Sequence, residues 1–238
     1  MSVVLEIHQL HAWYGSSHIL QGVDLAIGRG EIVSVLGRNG AGRSTLAKAV
    51  MGQVRASGSI LFENEQILGL QPCQVARKGI GYVPEDRQIF SDLSVEQNLL
   101  LGEKPGPAML SMPQCWRLSD MYALFPQLRQ RRNTAAGKLS GGEQQMLALC
   151  RTLMGNPTLM IIDEPAEGLA PKIVVQVTEY FDALKKRGLS ILLIEQRLSI
   201  SMAVSQRMVV MGRGSVVFEG SPDAFKQARA VRDQWVGI

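Results

Sequence analysis

Gly37-Arg38-Asn39-Gly40-Ala41-Gly42-Arg43-Ser44-Thr45, GRNGAGRST in one-letter code, is the stretch on which the fold turns. Upstream of it Ile32-Val33-Ser34-Val35-Leu36 is a short apolar run of the kind that forms a buried strand. Downstream, Ser44–Met51 has the composition of a helix, stopped by Gly52. A strand that passes through a glycine loop into a helix turns backbone N–H groups and the helix N-terminus toward one point, which suits an anion. Gly37, Gly40 and Gly42 permit the close backbone path that phosphate requires, and Ser44, with Thr45 beside it, is placed to ligate Mg²⁺. Loops of this kind carry lysine where this one carries Arg43. A glycine-rich strand-to-helix turn without a ligand has the same local composition, so the loop by itself leaves both readings open.

The rest of the chain extends the strand–helix pattern. Val3–Ile7 and Val23–Ile27 are β-prone, the second ending in the turn signal Gly28-Arg29-Gly30. Further strands are expected at Ser59–Phe62 and Ile80–Val83. From about Glu85 to Gly155 the texture becomes helical: Ser94 caps a helix through Leu101, a Pro/Gly-rich loop follows at Lys104-Pro105-Gly106-Pro107, and Met121–Leu128 is interrupted by Pro126. After Pro157, strands at Thr158–Ile162 and Leu189–Ile194 flank a helix over Ile173–Arg187. Arg207–Met211 and Ser215–Phe218 read as a hairpin, and Ser221-Pro222 opens a last helix. Strands alternating with helices imply an α/β fold with a mainly parallel sheet, helices on its faces and an inserted helical lobe.

Bulk properties narrow the class. A chain of 238 residues suits one large domain. Its net charge of +4 comes without a dense Lys/Arg block, so a basic surface explains it better than a nucleic-acid groove. The longest basic cluster, Arg129-Gln130-Arg131-Arg132, reads as a solvated helix end. Cys73, Cys115 and Cys150 lack CxxC spacing, which argues against a metal or disulfide framework. No run approaches the roughly eighteen apolar residues of a membrane span, and the N-terminus lacks a signal-peptide pattern. A cytosolic chain is expected, able to dock on a membrane protein.

Two further stretches carry chemistry. Leu159-Met160-Ile161-Ile162-Asp163-Glu164-Pro165 is an apolar strand ending in two acids at the sheet edge where the glycine loop lies. One acid can hold Mg²⁺ through water, and the other can orient or deprotonate an attacking water. Leu139-Ser140-Gly141-Gly142-Glu143-Gln144-Gln145 is a capping box, Ser140 at the cap and Glu143 three residues on. Met146, Leu147, Cys150, Leu153 and Met154 give the helix a packed face. A cap needs no function, but two glycines in a first turn weaken a helix, and their bare N–H groups offer a second phosphate site.

Together these stretches resemble the Walker A, signature and Walker B motifs of ATP-binding-cassette transporter ATPases, in the same order and over essentially the whole chain. The similarity is strongest to the ATP-binding subunits for branched-chain amino acids, the LivF type, and to their urea-transporter relatives. It is carried also by Tyr14-Gly15, Tyr82-Val83-Pro84-Glu85, Glu167-Gly168-Leu169-Ala170-Pro171 and Glu195-Gln196. The resemblance implies a P-loop NTPase fold: one domain over 1–238, with a RecA-like mainly parallel sheet, an N-terminal antiparallel β subdomain and an inserted helical subdomain over 86–155. It implies ATP and Mg²⁺ as ligands, with Tyr14 stacking on adenine and Gly37, Arg38, Asn39, Gly40, Ala41, Gly42, Arg43, Ser44 and Thr45 wrapping the phosphates. Asp163 corresponds to the Mg²⁺-associated acid and Glu164 to the general base. Glu85 stands where most relatives have a Mg²⁺-sensing Gln, and Gln196 where they have a switch His. Both replacements are common in the amino-acid branch.

In such proteins two ATPase subunits sandwich two ATP molecules, each site borrowing the partner's signature, here Ser140, Gly141, Gly142 and Glu143. The resemblance therefore implies a second ATP-binding subunit, with a heterodimer favoured over a homodimer. It also implies membrane-spanning permease subunits, an external solute-binding protein acting through them, and a place on the inner face of the cell membrane. No nucleic-acid partner is expected. DNA-repair cassettes carry a long coiled coil and translation cassettes are usually doubled, and this chain has neither feature. Arg43 is the departure. Arginine keeps the charge of lysine but is a larger planar fork, so binding of Mg-ATP with slow hydrolysis stands beside ordinary turnover as an expectation.

Overall fold

The computed structural model describes residues 2–104, 115–166, 180–181 and 183–237. Ten strands form two sheets among these residues: β1 (Val3–Tyr14), β2 (Ser17–Gly28), β3 (Ile32–Leu36), β4 (Arg55–Phe62), β5 (Glu65–Gln66), β6 (Ile80–Val83), β7 (Leu159–Asp163), β8 (Ser190–Ile194), β9 (Arg207–Gly212) and β10 (Ser215–Gly220). One sheet is antiparallel, in the order β2-β1-β4-β5. The other runs β10-β9-β3-β8-β7-β6, with every pair from β9 to β6 parallel and β10 antiparallel at the edge. The α/β fold expected from the sequence, with its N-terminal antiparallel sheet, is the fold observed.

The central parallel strands β3, β8 and β7 are buried along their whole length, as strands covered on both faces must be. Period-two geometry divides their side chains between two cores. Leu159, Ile161, Leu192, Ile194, Val33 and Val35 join the core under the antiparallel sheet. Met160, Ile162, Ile191 and Leu193 face the helical side, where Met146, Leu147, Cys150, Leu153 and Met154 of the capped helix Gly141–Met154 pack. A continuous apolar run thus serves two cores at once, which is why these strands carry no polar alternation.

Several elements are longer than the sequence suggests. β1 continues from Ile7 to Tyr14 through a bulge at Gln9, where φ is 45°. The short helix Pro72–Lys78, capped by Gln71, is not anticipated by any strong periodic signal. Pro126 does divide its helix, into Leu118–Leu124 and Pro126–Gln130, since proline is tolerated only in a first turn. The helix expected over Ile173–Arg187 and the loop 105–107 fall wholly or mainly outside the described residues, as does Glu167–Pro171.

The β9–β10 turn braces the glycine loop. Gly214 donates its N–H to the Ala41 carbonyl at 3.1 Å and accepts from the Gln21 N–H at 2.8 Å, tying loop, hairpin and β2 together. Its φ is +82°, and a Cβ there would stand 2.0 Å from the Ile19 carbonyl oxygen. Gly214→Ala should therefore destabilise the protein by about 2–3 kcal/mol, combining left-handed strain with a backbone clash. A urea titration checks this, with an unchanged midpoint as the contrary result.

Candidate functional site

Because β3, β8 and β7 are parallel neighbours, their C-terminal ends open on one edge of the sheet. β3 delivers the glycine loop there, β7 delivers Asp163 and Glu164, and β8 delivers Glu195 and Gln196. The helix Arg43–Val50 starts directly from the loop, with Gly42 at its N-cap in left-handed conformation (φ 102°). A Cβ on Gly42 would meet Leu20 Cδ2 at 2.8 Å, so backbone conformation and packing both call for glycine. The first N–H groups of that helix have no partner within it and point out of its N-terminal end.

A cleft of about 320 Å³ lies over this end, lined by the loop from Asn39 to Thr45 together with Glu85, Glu164 and Gln196. A second cleft of about 480 Å³ shares Ser44 and Glu85 and adds Lys48, Tyr82 and Asp163. Ser44 Oγ donates to Asp163 Oδ1 at 3.2 Å, bridging loop and acid strand. Tyr14 sits at the tip of the β1–β2 hairpin with 45% of its surface exposed, the posture of a ring available for stacking. The Tyr82 hydroxyl titrates above its ordinary range, first because it is buried and then because Asp163, Asp86, Tyr14 and Glu85 surround it.

Arg43 turns inward. One guanidinium nitrogen bonds the Gly37 carbonyl across the loop. The other lies 2.7 Å from Glu164 Oε1 and 3.4 Å from Asn39 Oδ1, with Arg43 and Glu164 exposed by only 5% and 6%. Gln196 Nε2 donates to both Glu164 oxygens at 2.7 Å. Glu164 is itself held at φ 47°, its N–H donating to the Ile194 carbonyl at 2.8 Å. Glu164 is thus clamped from two sides.

Sequence reasoning gave no role to Glu195. It is buried, with Oε2 accepting the N–H groups of Gln196 at 2.9 Å and Arg197 at 3.4 Å. Its Oε1 has no hydrogen-bond partner among the described residues. Burial pushes its pKa up to about 7, with the Glu164 charge adding to the rise against the two backbone bonds. Asp163 rises to about 6, again through burial first, opposed by the Ser44 hydroxyl and reinforced by Glu164. The signal available in the sequence was the one that marked Asp163 and Glu164: an acid immediately after a wholly apolar strand.

The signature stretch lies apart from this cluster. Ser140 Oγ caps the Glu143 N–H at 3.3 Å, and Glu143 Oε2 accepts from both the N–H and the hydroxyl of Ser140 at 2.8 Å. Arg131 Nε holds the other Glu143 oxygen at 3.1 Å. None of Ser140, Gly141, Gly142 and Glu143 lines either cleft.

A glycine loop at a helix start, an acid pair beyond the next strand but one, and a separately capped glycine pair define the class. Residues 20–167 match the family described as ABC transporter. Over 235 residues the chain is 37% identical to the high-affinity branched-chain amino acid transport ATP-binding protein BraG of Pseudomonas aeruginosa, covering 98% of this chain and 100% of the relative. It is 30% identical over 225 residues to the lipopolysaccharide export system ATP-binding protein LptB of Escherichia coli, covering 94% and 93%. Among solved structures, an ATP-binding cassette of an ABC transporter in its ADP conformation superposes with a TM-score of 0.79 at 26% identity, over 97% of this chain and 96% of that one. The chain belongs to the ABC transporter family, as an ATP-binding subunit.

Glu195 provides a pH-dependent test of the site. Its native pKa lies above the ordinary value of 4.5, so the folded protein binds this proton more tightly than the unfolded chain does. Wild-type stability should then fall as pH rises from about 4.5 to about 7. In Glu195→Gln the part of this fall that Glu195 causes is absent, while the part from Asp163, whose pKa is raised to about 6, remains in both proteins. The variant should match wild type near pH 5 and exceed it by about 2 kcal/mol at pH 8, discounted from the full shift because the new amide also lacks partners. Denaturant unfolding across pH reads the difference, and a constant offset would contradict it.

Proposed function

We propose that this chain is the energy-coupling ATPase of an uptake transporter for branched-chain amino acids, working as one domain over 1–238 whose segment 86–155 is the inserted helical subdomain. The observation that carries the proposal is the likeness to BraG along the whole length of both chains, joined to a glycine loop and an acid pair at one sheet edge and a separately capped glycine pair. Ser44, Asp163 and Glu85 supply hard oxygen donors around one cleft, the donor set Mg²⁺ prefers. These residues would hold the ion, which supplies charge neutralisation of the phosphates when bound. Tyr14 takes the adenine ring, and the N–H groups of the loop and of the Arg43–Val50 helix take the phosphates. Glu164 orients and accepts a proton from the attacking water, with Gln196 fixing the carboxylate plane.

The separation of Ser140–Glu143 from the clefts supports a paired arrangement, in which this stretch completes the site of a second ATP-binding subunit. A heterodimer is the preferred pairing. Permease subunits would dock near Glu85, where Phe90 and Leu101 stand 53% and 57% exposed on the adjoining surface. No helix among the described residues is long and apolar enough to cross a membrane, which fits a peripheral place on the cytoplasmic face. The external solute-binding protein acts through the permease.

Solute assignment is tested by deleting the gene and measuring uptake of labelled leucine, isoleucine and valine, with urea in parallel. Loss of amino-acid uptake is the expected result. Loss of urea uptake alone would move the assignment to small amides.

Hydrolysis at the chain's own Walker site is proposed to be slow. Arg43 is a larger planar fork than lysine and spends one of its nitrogens on the Gly37 carbonyl, which shifts where its charge can meet the γ-phosphate. A misplacement of about an ångström at the reacting phosphate costs on the order of 100-fold. Arg43→Lys should raise kcat at least about 10-fold in the assembled complex, measured as phosphate release. Equal turnover of the two proteins would show that arginine serves as well as lysine.

A further inference from the structure

The buried pair between Arg43 and Glu164 places the loop's cation and the proposed base in each other's hands. The side chains are 121 residues apart in sequence, meet at 2.7 Å and are both almost wholly excluded from solvent. Asp163, Glu164 and Glu195 are three buried acids, and Arg43 is the one buried cation among the described residues. A carboxylate in such a place is expensive to leave unpaired, and so is a guanidinium. Arg43 lines the same cleft as the loop N–H groups, so an anion seated there comes within the field of a cation already engaged.

The geometry points to Arg43 as a charge-exchange residue: the guanidinium paired with Glu164 passes to the nucleotide's phosphates on binding, releasing Glu164 to act on water. The inference rests on the reading of this loop as a nucleotide site. A lysine with one nitrogen could not do the same. The two terminal nitrogens of Arg43 let it keep the Gly37 carbonyl with one while exchanging the Glu164 carboxylate at the other. Gln196 stays on Glu164 throughout, because an amide donor satisfies both carboxylate oxygens and carries no charge to be drawn toward phosphate. Two consequences follow. Glu164 acts as an internal competitor that weakens nucleotide binding, and the base is disarmed until the loop is filled.

The test is a double-mutant cycle on the full chain, using the non-hydrolysable imido analogue of ATP with Mg²⁺ and reading Kd by calorimetry. Glu164→Gln removes the competitor and should tighten binding about 30-fold when Arg43 is present. In an Arg43→Ala background, where nothing is exchanged, the same substitution should gain no more than about 3-fold. Glu164→Asp keeps the charge but shortens the reach. It should give an intermediate gain of about 5-fold with Arg43 and none with Ala, which preserves the test should the Gln variant fold poorly. Equal gains in both backgrounds would overturn the exchange and reduce Glu164 to general repulsion of phosphate. If none of the proteins bound the analogue, the nucleotide reading of the loop would fall first, and the exchange with it.

Discussion

Parallel pairing of β3, β8 and β7 is the constraint on which everything else in this molecule depends. Parallel strands leave the sheet at the same edge, so three segments far apart in sequence are forced to deliver their next residues to one place. The pairing is itself driven by burial. Each of these strands is mainly apolar and buried through its length, and is stable only with a core on both faces. Apart from Ser34, which is satisfied by the Ser205 hydroxyl, polar side chains cluster where these strands end, beside the glycine loop: Asp163 with Glu164, and Glu195 with Gln196. The chemistry is concentrated because the core excludes it from everywhere else along these strands.

Concentration brings an electrostatic cost. Buried acids outnumber buried cations at this edge, and burial raises the pKa values of Asp163 and Glu195, so protonation relieves part of the imbalance. The Arg43–Glu164 pair relieves the rest. A pocket meant for a polyphosphate must still attract anions, and here the attraction cannot come from side-chain charge alone. It comes from the backbone N–H groups of the loop and the Arg43–Val50 helix, whose partial charges are fixed in direction and do not titrate.

What was legible in the sequence follows from the same physics. Ile32–Leu36 and Ile80–Val83 were readable to the residue, because a short β-prone run that stops at a glycine or a proline, here Gly37 and Pro84, has few other fates. The Ser140–Glu143 cap was readable because its bonds are local. β1 was read only as far as Ile7. Beyond it the bulge at Gln9 breaks the alternation, and His8, Gln9 and His11 lie on a partly solvated face that no pattern marks. Among the site residues, the positions of Asp163, Glu164 and Ser44 could be inferred from strand ends and loop spacing. The partner of Arg43 could not. Which acid a buried arginine meets is decided by the sheet order that brings β7 across β8 toward β3, and that order is not written in any local stretch.

The same distinction explains why the capped glycine pair stands away from the clefts. Ser140 and Glu143 spend their polar atoms on each other, and Arg131 takes the remaining Glu143 oxygen, so the start of the Gly141–Met154 helix is ordered without a ligand. Its packed face, from Met146 to Met154, anchors it to the sheet through the core on the helical side. A pre-formed helix N-terminus held rigidly at a distance from its own chain's phosphate loop has nothing to bind within that chain. Under the paired arrangement it meets the nucleotide held by the other subunit. Ordering it in advance removes an entropic cost from closure, leaving ligand charge to decide when the two halves meet.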